Sequence, residues 1–361
     1  KDIYDSISKE AMYDLLKRQK ELNFKPGERY LYSNSCYFML ALIVEKASGK
    51  SIRDFAEEHM FNPLGMKNTH FHDDKYHIVK NRVFSYEPGK NGYRNLIMRF
   101  DLVGSGGLYS SIGDLLLWDQ NFYDNKLGKG RQELIDTMLT DGRLNNGSSA
   151  GYAFGISNGT HNGLRTVEHS GGLAGYRTFY LRYPDENFSV FVLANVANFN
   201  AGGKSRSIGE IFLKDKFKKP TANEAVAADS PNAASADGSA VGLAADEMKA
   251  FTGNYFSRDR GISVKITLEE KGLMHTTGGR VVAMKPLGEN RFKLDDPNRE
   301  IFLTFEKSGA MNAVVNGGAP IGYVSFEPVT YSADDLKGFA GTYFSEEINT
   351  YYHLKVEKDE L

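Results

Sequence analysis

Pro26-Gly27-Glu28-Arg29-Tyr30-Leu31-Tyr32-Ser33-Asn34-Ser35-Cys36-Tyr37 opens on a Pro-Gly stop, passes through Tyr-Ser-Asn and enters the apolar run Cys36 to Val44. Phe38, Ala41 and Leu42 recur at helical spacing, with Glu45 and Lys46 toward solvent, so the turn feeds a helix. Gly49 is placed to close it in the left-handed conformation. Far downstream, Arg165 to His169 reads as a strand and runs into Ser170-Gly171-Gly172. A phenol beside a helix and an imidazole on a strand thus frame the chain's candidate chemistry.

Outward from that stretch, Ser8 to Glu21 carries Met12, Leu15 and Leu16 at helical spacing, with Ser8 as N-cap. A further helix starts at Ser51 and runs into Pro63-Leu64-Gly65-Met66. The glycine-rich Gly104 to Asp114 predicts a tight loop leading into an amphipathic Leu115 to Phe122. From Tyr152 the period shifts toward two, predicting strands over Tyr152 to Ile156, Arg165 to His169, Arg177 to Tyr183 and Phe188 to Leu193, with a Pro184-Asp185 turn. A helix from Ser207 to Phe217 returns to pack on them.

Residues 220–245 are rich in Ala, Ser, Asp and Asn, contain Pro220 and Pro231 and lack aromatics, which is the composition of a linker. Beyond it, Val264 to Leu268, Arg280 to Met284, Arg291 to Leu294, Ile301 to Phe305 and Ala313 to Val315 predict a small antiparallel β-domain. Phe251-Thr-Gly-Asn-Tyr-Phe-Ser257 recurs as Phe339-Ala-Gly-Thr-Tyr-Phe-Ser345, an offset of 88 residues. The expected organisation is a first domain over 1–219, a linker over 220–245, a β-domain over 246–330 and the start of a second copy over 331–361. The final Lys358-Asp-Glu-Leu361 spells a retention signal, but under the repeat it corresponds to a strand end and turn.

Composition narrows the classes. The 361 residues carry 44 basic and 46 acidic groups for a formal charge of -2, so no electrostatic footprint for nucleic acid or an anionic membrane is present. The longest apolar run falls well short of the ~20 residues that cross a bilayer. The single Cys36 cannot form an internal disulfide and is expected buried and inert. His70, His72 and His77 lie near Asp73 and Asp74, but no spacing matches a helix-borne metal pair, so a solvated loop without metal is expected.

Tyr32-Ser33-Asn34 after Pro26-Gly27, Pro63-Leu64-Gly65-Met66, the Gly106 to Asp114 loop and His169-Ser170-Gly171-Gly172 together resemble the class C β-lactamase-related serine hydrolases, over roughly Ile3 to Phe217. The resemblance implies an α+β fold, an antiparallel sheet flanked by helices, and acyl transfer from an amide or ester without a cofactor. In such enzymes a serine of a Ser-x-x-Lys motif attacks the acyl carbonyl and the tyrosine of Tyr-x-Asn shares its proton. Carried over, Tyr32 is the base or proton relay and Asn34 donates to the substrate. His169-Ser170-Gly171 stands where relatives carry Lys-Thr-Gly. His169 would polarise the serine–tyrosine pair, Ser170 and Gly171 line the substrate strand, and the Gly172 N–H supplies half of an oxyanion hole, worth ~3 kcal/mol. Small-molecule or peptide acyl substrates and a periplasmic or secreted location follow from the same resemblance.

Ser6-Ile7-Ser8-Lys9 satisfies Ser-x-x-Lys literally, yet Tyr32 follows Ser6 by only 26 positions and the next helix is heavily charged. A buried nucleophile helix is not charged in this way, so Ser6 and Ser8 read as caps. The nucleophile is expected upstream of Lys1, leaving uncovered apolar faces at Leu40, Leu42 and Val167 and a chain inactive as it stands. The rival reading is a non-catalytic scaffold whose β-domains bind a partner.

Overall fold

The computed structural model describes residues 7–97, 101–217 and 245–357, except 259, 271, 289, 297–300, 307 and 316–319. The chain divides into two compact units. One takes in 7–8 and 24–217 of the described residues, and the other joins Lys9–Asn23 to 245–357. Ser6, nearly all of the 220–245 linker and the Lys358-Asp-Glu-Leu361 ending lie outside the described residues.

The opening helix α1 (Lys9–Lys17) belongs to the second unit and buries none of its residues. In the first unit, α2 (Asn34–Ser48) starts where Ser33 Oγ accepts the Cys36 N–H and ends at Gly49, whose φ of 72° is the left-handed closure expected of it. Its core face is Phe38 and Ala41. Cys36 is exposed, contrary to expectation, because the first turn directs it away from that face. Ser51 caps α3 (Ile52–Ala56), which passes through a π turn at Glu57–Phe61 into α4 (Asn62–Leu64), closed by Gly65.

Two short pairings follow, β1 (His70–Phe71) with β4 (Leu108–Tyr109) and β2 (Tyr86–Gly89) with β3 (Gly92–Asn95). Gly104 (φ +111°) lies where a Cβ would come within 2.7 Å of the Ala41 side chain and 2.9 Å of the Tyr37 carbonyl oxygen. Only glycine lets this loop close onto α2. Ser111 caps α5 (Ile112–Gln120), and the buried Asp114 accepts from the Asn68 N–H and the Thr69 hydroxyl, both at 2.7 Å. α6 (Gln132–Leu139) completes this layer.

The central sheet is a four-stranded antiparallel meander of β5 (Ser157–His161), β6 (Leu164–Leu173), β7 (Tyr176–Tyr183) and β8 (Phe188–Ala194). Tyr152 to Ile156 is not a strand. Gly155 has φ +77° and the Ala153 N–H turns back to the Ile156 carbonyl, so pairing starts only at Ser157. The returning helix α7 (Ala201–Phe212) begins earlier than Ser207 because Asn200 caps it at the Gly203 N–H, 2.9 Å away.

Leu164, Phe179, Leu181 and Tyr183 pack with Ala201 and Leu213 on the α7 side. Strand alternation puts Val167, His169 and Gly171 on the other face, opposite Arg182, Tyr180 and Thr178. There Asp119 Oδ1 accepts from Arg182 Nε (2.7 Å), Tyr180 Oη (2.5 Å) and Ser189 Oγ (2.9 Å). Of the apolar residues expected bare, Leu40 is 49% exposed and Leu42 half-buried, but Val167 is fully buried because it pairs with Arg182 on that packed face.

In the second unit, α8 (Ala245–Lys249) precedes β9 (Gly253–Ser257), β10 (Ile262–Glu269), β11 (Gly272–Thr277), β12 (Arg280–Gly288), β13 (Arg291–Leu294), β14 (Ile301–Phe305), β15 (Met311–Val315) and β16 (Ile321–Phe326). These eight strands form a closed antiparallel barrel. Its interior is filled by Tyr255, Val264, Ile266, Leu273, Phe292, Leu303, Phe305 and Met311 with their neighbours. β9, β11 and β16 are not among the strands expected from sequence.

The repeat has a backbone counterpart. After α9 (Ala333–Phe339), β17 (Gly341–Ser345) pairs with β18 (Thr350–Leu354), joining Ser345 to Thr350 and Gly341 to Leu354. In β9–β10 the pairs are Ser257 with Ile262 and Gly253 with Ile266, the same register 88 residues earlier. Tyr255 and Tyr343 each donate back to the carbonyl four residues before, Phe251 and Phe339.

Removing the buried Asp119 carboxylate leaves Arg182, 1% exposed, without its anion. Asp119→Ala is expected to destabilise the first unit by about 3–5 kcal/mol. The check is a lowered urea midpoint read by fluorescence of Trp118, the chain's single tryptophan.

Candidate active site

Tyr32 stands just before α2, on a turn whose direction is set by the Ser33 cap and the Pro26-Gly27 entry. The Pro26 and Gly27 carbonyls are in turn held by the Asn145 side chain (2.8 Å) and backbone N–H (2.8 Å). Its ring lies 6.0 Å, centroid to centroid, from that of His169 on β6. The structure thus brings together the phenol and imidazole read from sequence, 137 positions apart. Asn34 opens α2 and is exposed on the same turn.

Ser170, Gly171 and Gly172 continue β6 past His169. Ser170 and Gly172 are exposed, and Gly172 pairs with Arg177. Gly171 pairs with Thr178, and a Cβ at Gly171 would run into the Thr178 hydroxyl. Glycine there keeps the strand flat against its neighbour beside the cleft.

Three residues that sequence reading did not single out complete the site. Tyr152 Oη lies 2.9 Å from His169 Nε2, and His169 Nδ1 lies 2.7 Å from the Ser170 carbonyl oxygen. A carbonyl only accepts, so Nδ1 carries the proton and Nε2 accepts from Tyr152. Tyr30 stacks on Tyr152 at 5.2 Å, Tyr32 meets it edge-on at 6.0 Å, and the Tyr37 hydroxyl interacts with that of Tyr152. No motif announces Tyr152, since its approach to His169 depends on the non-strand path through Gly155. Among the described residues, His169 makes its ring hydrogen bonds to Tyr152 and Ser170.

Burial sets the protonation states. It drives the Tyr152 hydroxyl well above the ordinary phenol value, with the neighbouring Tyr37, Tyr32 and Tyr30 adding to the effect. Burial likewise raises Tyr37. It lowers His169, with the Ser170 carbonyl opposing more weakly. The walls are therefore neutral at pH 7, aromatic and rich in hydroxyls.

Of the histidines at 70, 72 and 77, His77 is exposed as a solvated loop predicts, but the other two are packed. His72 is buried, His70 stacks on Tyr109 at 5.6 Å and His72 meets the same ring at 4.7 Å. Burial lowers both imidazoles, which suits a packed wedge under the β1–β4 pair. Among the described residues no group of three or more His, Cys, Asp or Glu is arranged to hold a metal ion.

His161 is lowered to about 4 by burial, chiefly, and by Arg206, while Tyr183 Oη bonds its Nδ1 at 2.6 Å. Its folded value lies below the unfolded ~6.5, so the neutral imidazole stabilises the fold fully above pH 6.5 and that stability is lost as pH falls toward 4. Urea midpoints of the first unit, followed by Trp118, are expected to drop between pH 7 and pH 5. His161→Gln should flatten the dependence.

Comparison with known proteins then places the chain. The Beta-lactamase family model matches residues 4–211. Penicillin-binding protein 4* of Bacillus subtilis is 34% identical over 188 residues, which are 48% of this chain and 41% of that protein. D-aminopeptidase of Brucella ovis is 28% identical over 183 residues, 50% of this chain and 35% of that protein. The chain therefore spans well under half the length of these relatives. Among solved structures, "Crystal structure of SurE with D-Leu" superposes with a TM-score of 0.55 at 18% identity, covering 88% of this chain and 72% of that one, a likeness of fold. With four ordered motifs, the sheet-and-helix architecture and a family match over more than half of its length, the chain belongs to the β-lactamase family, the penicillin-binding-protein-like serine hydrolases.

Proposed function

We propose that this chain supplies the base side of an acyl-transfer site that hydrolyses amides or esters through an acyl-enzyme. The observation that carries this reading is the convergence of Tyr32 and His169, 6.0 Å between rings, on the glycine-bearing end of β6. Tyr32 takes and returns the serine proton, and Asn34 and the exposed Ser170 to Gly172 segment hold the acyl group. The Gly172 N–H supports the oxyanion.

The neutral character of the walls bears on substrate. At the position where relatives carry a lysine, His169 is held uncharged, so the site offers no fixed cation there to a substrate carboxylate. This favours neutral amides and esters over carboxylate-bearing β-lactams. A D-aminopeptidase among the relatives supports D-amino-acid amides as the first substrates to try.

In this reading the literal Ser6-x-x-Lys9 match is not the nucleophile pair, which a further Ser-x-x-Lys segment supplies. Lys9, the lysine of the literal match, sits on α1, which buries no residue and so lacks the buried setting of a nucleophile helix. On α2, Cys36, Leu40 and Ile43 share one exposed face, with Leu40 49% and Ile43 58% exposed, suited to receiving an apolar helix. The present chain is then expected to show no turnover of p-nitrophenyl acetate or D-alanine amide and no fluorophosphonate adduct by intact mass. An adduct on Ser6 would refute the placement. In a longer protein carrying the upstream segment, Tyr32→Phe should lower kcat by 10²–10⁴-fold with little change in KM. Retention of full activity would remove Tyr32 from the mechanism.

A further inference from the structure

Two hydrogen bonds orient the His169 ring. Nδ1 faces the Ser170 carbonyl oxygen at 2.7 Å, which demands a proton on that nitrogen. Nε2 faces the Tyr152 hydroxyl at 2.9 Å and, in the neutral ring that burial favours, accepts from it. Tyr152 is itself wedged, with Tyr30 stacked 5.2 Å away at 29°, Tyr32 edge-on at 87°, and Tyr37 at its hydroxyl. Behind it, Gly155 (φ +77°) sits where a Cβ would come 3.4 Å from the Tyr37 hydroxyl.

We propose that Tyr152 is the positioning residue of His169, donating to Nε2 so that the imidazole stays neutral, with its proton on Nδ1 and its ring turned toward Tyr32. The inference rests on the reading of Tyr32 and His169 as parts of one reaction site. The titratable groups placed against His169 are Tyr152 from the preceding loop, Tyr32 from the turn before α2, and Tyr180 at the paired position on β7, whose hydroxyl donates to Asp119. Protonation of Nε2 would reverse the Tyr152 bond, the imidazolium donating to the Tyr152 oxygen, and the Tyr152 and Tyr37 hydroxyls would have to reorient. The arrangement as built favours the neutral ring, so its loss should raise the pKa of His169.

In mechanistic terms, Tyr152 replaces the cation of the related lysine-bearing strand with a neutral, oriented dipole chain that runs Tyr152 to His169 to Ser170. A substrate oxygen at the end of β6 meets backbone N–H groups and hydroxyls instead of a point charge. Tyr37 extends the chain into the protein at its other end.

The test is long-range ¹H–¹⁵N correlation of the labelled chain across a pH series, with His169→Gln used to assign its signal among the eight histidines. In the wild type, the proton is expected on Nδ1 with Nε2 in the hydrogen-bonded acceptor range and a midpoint below 6.5. In Tyr152→Phe, the Nε2 signal should move toward that of a free acceptor and the midpoint rise by about half a unit, the scale of one neutral hydrogen bond. A proton found on Nε2 in the wild type, or an unchanged midpoint and Nε2 shift in a folded Tyr152→Phe, overturns the proposal. If that variant does not fold, the wild-type proton position decides alone. The measurement needs no turnover, so a failure of the longer protein to acylate would refute the hydrolase reading and leave this result standing.

Discussion

The Asp119 carboxylate beneath the central sheet is the contact on which the first unit depends. One oxygen takes Arg182 Nε, Tyr180 Oη and Ser189 Oγ, and the guanidinium lies 4.2 Å from the Phe122 ring centre and 4.9 Å from that of Tyr123. A strand that slips by one residue sends every side chain to the opposite face. A slip of β7 would drive Arg182 into the Leu164, Phe179 and Leu181 layer under α7, at the cost of an unpaired buried charge. The buried pair therefore specifies the register, and the register places His169 opposite Tyr180 and Gly171 opposite Thr178. The geometry of the cleft follows from an ion pair that takes no part in its chemistry.

Inside that cleft the protein uses burial in place of charge. Desolvation pushes tyrosines up and histidine down, so the same apolar surroundings keep Tyr152, Tyr37 and His169 in their neutral forms together. Hydrogen bonds among neutral groups are directional and cost little to desolvate, which suits the acyl-orienting role proposed for the site. The exposed glycine end of β6 supplies backbone without side chains at the point where a substrate would approach.

The second unit makes a related point through its repeat. β9–β10 and β17–β18 share hairpin register and the same tyrosine-to-carbonyl bond, yet Tyr255 is 5% exposed and Tyr343 is 47% exposed. The difference is in the neighbours. β9 is paired on both edges within a closed barrel, whereas among the described residues β17 pairs with β18 alone. Local sequence determines the hairpin, and burial of its tyrosine belongs to the closure around it.

Much was legible in the sequence where local chemistry dictates structure. Gly49 closing α2, Ser51 opening α3, the strand limits of Arg291 to Leu294 and Ile301 to Phe305, and the pairing of a tyrosine turn with a histidine strand all follow from caps, period and motif order. The readings that failed involve residues whose environment is set by distant chain. Cys36 was read as buried from its apolar neighbours, but helix phase turned it outward. Val167 was read as bare, but β7 brought Arg182 over it. Tyr152 carries strand-like composition, yet Gly155 bends its segment so that a hydroxyl reaches His169, seventeen residues on. Sequence by itself determined which residues could do chemistry, because side-chain type and backbone freedom are local properties. The tertiary structure alone decided which of them meet, what protonation state they hold and which partner each one faces, because burial and hydrogen bonding depend on atoms that are neighbours only in the folded chain.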